Sequence, residues 1–157
     1  MIFIEKGIRL MNKASQSEAV YTENSSRKHQ RSRIDYGKPM CSKDAGHPFE
    51  MCVATVAPGK TLCAYHAHMT QWEFYYVLEG SGHMRLDEGN IPIKQGDAMM
   101  CPPMEAHQLV NDNEDDLVVQ IVATNQPFDA CIYPDFNIFA SKHLGAFSTE
   151  QTSFPKE

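Results

Sequence analysis

No stretch of this sequence approaches the roughly 20 apolar residues of a membrane-spanning helix. Its longest apolar run, around Leu117–Ala123, is interrupted by Gln120. Positive charge is in deficit: 14 Lys and Arg stand against 20 Asp and Glu, a net charge of −6. An acidic surface repels phosphate backbones, so neither a nucleic acid nor a membrane is an expected partner. The five cysteines include no CxxC pair. They read as buried thiols of a reducing cytoplasm rather than a disulfide framework. There is no Gly-rich phosphate loop and no nucleophile elbow, which leaves nucleotide hydrolysis and serine-hydrolase chemistry without support. No internal repeat is visible, so a single structural unit is expected. A charge interrupts Met1-Ile-Phe-Ile-Glu5-Lys6 where a signal peptide would be apolar, and Met11 is a second candidate start.

What is present is a chain of 157 residues with 42% apolar content, enough for one cored domain. Residues 1–40 read as a weakly ordered arm. Asn12–Arg33 holds few large apolar side chains, and residues 27–33 form a basic cluster, read as solvated or packed on a partner subunit. From Phe49 onward, short runs rich in Val, Ile, Tyr, Phe and Leu alternate with Gly, Pro, Asn and Asp. The spacing predicts strands over 49–57, 61–68, 73–79, 83–87, 91–94, 98–101, 106–111 and 117–124, an all-β sandwich or barrel over residues 41–126. Within 83–87, Met84 and Leu86 share the core-facing side. Residues 127–157 are aromatic and read as an irregular tail on the barrel or on a second subunit.

The chemistry concentrates in two segments. His66 and His68 are two apart, a spacing that on one strand points both imidazoles to the same face. Glu73 opens the next strand, and a hairpin can bring its carboxylate beside them. His107 offers a fourth ligand. Three neutral imidazoles with one carboxylate suit Fe(II), Mn(II), Ni(II), Co(II) or Zn(II), and suit Mg or Ca poorly. Four protein ligands leave one or two positions of an octahedral ion open, which catalysis requires. Tyr75 shares a face with Glu73 and is a candidate cavity residue. Gln120, the polar break in an apolar strand, is a second candidate substrate contact.

These segments resemble the paired motifs of the cupin superfamily. His66-x-His68-x4-Glu73-x6-Gly80 fits the first, and Gly96-x5-Pro102 with His107-x3-Asn111 fits the second. Gly59 stands one residue early, and Met104 stands where the second motif has Gly. Tyr133-Pro134-Asp135 looks like a segment that follows the barrel in some small cupins. The resemblance implies a double-stranded β-helix (jelly-roll) barrel, one divalent transition metal on His66, His68, Glu73 and His107, and a homodimer. It implies a metal-dependent enzyme of dioxygenase, isomerase or decarboxylase type acting on a small polar metabolite. The alternative is a noncatalytic module that binds a sugar or carboxylate.

Overall fold

The computed structural model describes the backbone of residues 2–3, 9–10, 20–24, 27–35, 48–141 and 145–148, and side chains over residues 48–141. Cys41, the Met11 start, the side chains of 27–33 and the boundary placed near residue 40 lie outside what is described. Among the described residues the elements are strands, apart from a short 3-10 turn at Pro134–Phe136. No helix among the described residues is long and apolar enough to cross a membrane.

In chain order the strands are β1 (Ile2–Phe3), β2 (Arg9–Leu10), β3 (Val20–Asn24), β4 (Arg27–Asp35), β5 (Phe49–Val56), β6 (Lys60–Thr61), β7 (Ala67–His68) and β8 (Glu73–Glu79). There follow β9 (Ser81–Leu86), β10 (Gly89–Lys94), β11 (Ala98–Cys101), β12 (Gln108–Asn111), β13 (Leu117–Thr124), β14 (Ala130–Tyr133), β15 (Ile138–Ser141) and β16 (Gly145–Ser148). They form an antiparallel double-stranded β-helix. One wall is the six-stranded sheet β11-β8-β13-β5-β4-β3, and the other includes the four-stranded sheet β10-β9-β12-β6. A third sheet, β16-β15-β14-β7, carries the C-terminal strands.

Period-two patterning decides which side chains fill the interior. In β13, Leu117, Val119, Ile121 and Ala123 are buried and the residues between them are half-buried. Val119 pairs with Ala54 of β5 and with Val77 of β8, and all three are completely buried. Met84 and Leu109 cover this layer from the opposite wall, paired across β9 and β12. Leu86 packs against the same cluster, as alternation along β9 requires.

Three expectations need correction. The run 61–68 is not one strand. After β6, the Leu62 amide bonds the Leu109 carbonyl at 3.0 Å, His66 forms an isolated bridge with His107, and β7 then pairs with β14. The chain crosses from one sheet to another within these eight residues. The arm before residue 40 carries β3 and β4, with β4 hydrogen-bonded along β5. Joining an open sheet edge satisfies backbone groups without apolar side chains, so composition did not reveal it. Residues 130–148 are not irregular but an antiparallel meander, because β7 offers β14 a pairing edge.

Gly80 ends β8 at φ +81°, and a Cβ there would stand 2.2 Å from the Asp116 carbonyl oxygen. Gly59 also has positive φ (+69°), but nothing lies within 4 Å of its would-be Cβ. Gly80→Ala is therefore expected to lower unfolding free energy by at least about 2 kcal/mol, through strain plus backbone collision. Gly59→Ala should cost only about 1 kcal/mol of strain. Urea unfolding of both variants checks the order, and equal losses would contradict it.

Candidate metal centre

Each of the four candidate ligands comes from a different local environment. His66 and His107 face each other across their two-residue bridge, with amide-to-carbonyl bonds of 3.2 and 2.9 Å. His68 sits at the end of β7, its carbonyl accepting the Met104 amide at 2.7 Å. Met104 keeps a positive φ of 68°, the backbone form the motif glycine would supply, and so leaves His107 in register. Glu73 is the first residue of β8 and points inward with Tyr75 and Val77.

The imidazoles and the carboxylate converge. Glu73 Oε2 lies 2.9 Å from His107 Nε2 and 3.7 Å from the Nε2 atoms of both His66 and His68. Ring centroids of His66 stand 5.0 Å from His68 and 4.8 Å from His107. The ligand atoms of His66, His68 and Glu73 all lie within 4.8 Å of one another. Metal–ligand bonds of roughly 2.0–2.2 Å at right angles give ligand–ligand edges of roughly 3 Å; the Glu73–His107 spacing matches such an edge, and the 3.7 Å spacings to His66 and His68 are longer.

Tautomers support the same conclusion. His66 Nδ1 donates to the Ala64 carbonyl at 2.9 Å, and His107 Nδ1 donates to the Glu105 carbonyl at 3.0 Å. His68 Nδ1 donates to Asp129 Oδ2 at 2.5 Å. All three acceptors are oxygens without a proton to give, so each Nδ1 carries the hydrogen and each Nε2 lone pair turns inward. Three lone pairs and a carboxylate aimed at one another require a cation or extra protons between them. The donor set therefore fits a divalent transition ion.

Without an ion, protons take that place. Burial disfavours charge on His66, but the Cys63 sulfur and the Glu73 carboxylate push its pKa up to about 11. Burial likewise opposes charge on His107, and Cys101 with Glu73 raise it to about 9. Burial pushes Glu73 upward, yet hydrogen bonds from His107 and His66 hold it well below the usual carboxylate range.

Tyr75 lies where alternation placed it. It is buried, lines the cavity, and donates its hydroxyl to Glu73 Oε2 at 2.9 Å. Gln120 does not reach the cavity. It lies on the other face of β13, where its Nε2 donates to Met51 Sδ at 3.0 Å, and Ile121 lines the cavity instead. The strict alternation of β13 excludes neighbours 120 and 121 from sharing a face.

The cavity lined by His66, His68 and Glu73 encloses about 370 Å³, and His107 is not among its described lining residues. Sequence reasoning missed several of its residues. Asp129 clamps His68 while its Oδ1 accepts from the Thr70 amide (3.0 Å), the Thr70 hydroxyl (3.1 Å) and the Gln71 amide (3.2 Å). Cys63 and Cys131 are free thiols on the wall, not inert core sulfurs: Cys63 Sγ is 3.5 Å from His66 Nδ1 and Cys131 Sγ is 3.4 Å from His68 Nδ1. The Tyr133 ring stacks on His66 at a centroid distance of 6.0 Å. The Tyr133-Pro134-Asp135 segment was the available signal, because Asp135 takes a bidentate pair from Arg85 (2.8 Å each) that pins the end of β14.

Comparison with known proteins agrees with this architecture. A family model described as a cupin domain matches residues 52–123. An uncharacterized protein of Methanocaldococcus jannaschii is 38% identical over 56 residues, 36% of this chain and 45% of that protein. An oxalate-binding protein of Thermotoga maritima is 31% identical over 80 residues, 50% of this chain and 65% of that protein. The chain thus spans about half to two-thirds of the length of these curated relatives. A crystal structure described as a sugar phosphate isomerase from Silicibacter pomeroyi superposes with a TM-score of 0.72 at 23% identity, covering 95% of this chain and 97% of that one. At that identity the likeness speaks for the fold alone.

Two expectations follow from the site. Asp129→Asn keeps the shape but weakens the acceptor that orients His68, so metal affinity should fall about 10- to 100-fold by competition with a chelating indicator. An unchanged constant would deny Asp129 that role. The raised pKa values of His66 and His107 mean that both hold a second proton at neutral pH in the metal-free protein. An entering ion must displace those protons. Affinity should therefore rise with pH, about tenfold per unit for each proton displaced, up to about pH 9 for His107 and beyond it for His66. Calorimetry in buffers of different ionisation enthalpy measures the protons released, and no release would contradict the assignment.

Proposed function

Residues 52–123 are a cupin domain, and from that premise we propose that this chain is a metal-dependent enzyme acting on a small polar metabolite, by isomerase, decarboxylase or dioxygenase chemistry. The observation that carries the reading is the convergence of three Nε2 lone pairs and the Glu73 carboxylate beside a polar cavity. His66, His68, His107 and Glu73 would hold the ion. Bound there, a divalent transition metal supplies Lewis acidity toward a ligand oxygen.

The chain's own residues prepare that site. The acceptors Ala64, Glu105 and Asp129 fix the three imidazoles in orientation and tautomer. The Tyr75 hydroxyl holds Glu73 by donating to the oxygen nearest His107. Tyr133 closes the wall beside His66. Burial and the Cys131 sulfur, to which its hydroxyl is hydrogen-bonded, push the Tyr133 phenol up, so it keeps its proton on the cavity wall at neutral pH. A purely ligand-capturing module would call for a closed coordination sphere or an apolar wall lacking titratable groups. Here Tyr133, Cys63, Cys131 and Gln71 line the space beside the ligands, which favours catalysis.

Elemental analysis of protein purified without added metal is the first test, with a divalent transition ion expected near one equivalent per chain. His66→Ala should lose most of that metal while its far-UV circular dichroism remains that of the β fold. Substrate panels of diketones, hydroxyketones and aromatic diols, followed by oxygen uptake and product analysis, then identify the reaction. Metal content unchanged in His66→Ala would overturn the proposal.

A further inference from the structure

The charge balance of the cavity bears on the class of ligand it accepts, an inference that rests on the metal-dependent reading above. Two carboxylates stand at the candidate ion: Glu73 among the ligands, and Asp129 at 2.5 Å from His68 Nδ1. Together they already balance a divalent cation, with the three imidazoles neutral, and Glu50 adds a third carboxylate to the cavity wall. No Lys or Arg is among the described residues lining the cavity, whose wall includes Gln71, Cys63, Cys131 and Tyr133. Arg85, which underlies the nearby Asp135 turn, is committed elsewhere. Its two terminal nitrogens bind Asp135 at 2.8 Å each, its guanidinium lies 4.1 Å from the Tyr65 ring centroid, and Nη1 also donates to Gln108 Oε1 at 3.2 Å.

Recognition of a phosphate or dicarboxylate normally draws on arginine forks, lysines or clustered backbone amides. This wall presents instead carboxylate, amide and thiol groups, with phenols at Tyr75 and Tyr133. A doubly charged anion would bring further negative charge into a buried site that Glu50, Glu73 and Asp129 already make rich in carboxylates, at a substantial desolvation cost. An uncharged ligand carries no such cost. Adjacent oxygens would let it chelate an ion, while its hydroxyls donate to the carboxylate acceptors on the wall.

We infer that the site takes an uncharged chelating oxygen ligand, a vicinal diol or an α-hydroxyketone, in preference to a phosphorylated sugar or a dicarboxylate. Matched probes test this on the full-length chain loaded with one equivalent of Co(II), loading being verified beforehand by elemental analysis. Dihydroxyacetone is compared with dihydroxyacetone phosphate, and acetoin, a neutral α-hydroxyketone, with oxalate, by titrating the Co(II) visible spectrum. The neutral member of each pair should bind at least tenfold more tightly. Ala140→Lys, which places a cation on the cavity wall, should shift the first pair toward the phosphate by tenfold or more. Tighter binding of the anions, or no binding of either neutral probe to loaded protein, overturns the inference and leaves the metal site standing. Failure to load Co(II) overturns both.

Discussion

A buried carboxylate surrounded by three inward-turned imidazole lone pairs is the constraint around which this protein is organised. Glu73 is only 13% exposed at its side chain, and its Oε2 lies within 3.7 Å of all three Nε2 atoms. Such a set cannot rest in a low-dielectric interior without positive charge among its members. Protons or a metal ion must supply that charge. The fixed Nδ1 donors leave only the inward nitrogens to receive either one. The raised pKa values of His66 and His107 and the depressed value of Glu73 are two views of this single demand.

Holding the set requires several independent pieces of backbone. β8 presents Glu73 and Tyr75 from the six-stranded wall. The His66–His107 bridge ties the chain after β6 to the chain before β12, while His68 belongs to the C-terminal sheet through β14. Short bonds from Met104 to His68 and from Arg85 to Asp135 then lock loop and tail against the barrel. The closed interior behind them, from Ala54 and Val56 to Val77, Leu117 and Val119, gives the site a rigid floor.

Much of this could be read from residue order. Strand positions from 73 to 124 emerge from alternation and from Gly and Pro punctuation, and the four candidate ligands emerge from residue type and spacing. What escaped were features with no local signature. Asp129, Cys131 and Tyr133 lie about sixty residues from His66 and His68, and β-pairing with a two-residue strand brings them there. Gln120 looked like a cavity residue because it breaks an apolar run. Only the pairing of β13 with both neighbours decides which of its faces turns inward. The arm at 27–35 joins the sheet through backbone groups, which every sequence possesses and composition therefore cannot report.

By itself, then, the sequence determined the all-β class and singled out the candidate imidazole and carboxylate donors, because side-chain period and residue chemistry are local properties. Tertiary structure alone decided that Asp129 orients His68, that two thiols and Tyr133 wall the cavity, and that no described basic side chain lines it. Those outcomes depend on which strand edges meet, and hydrogen bonds between backbones carry no record of the side chains they bring together.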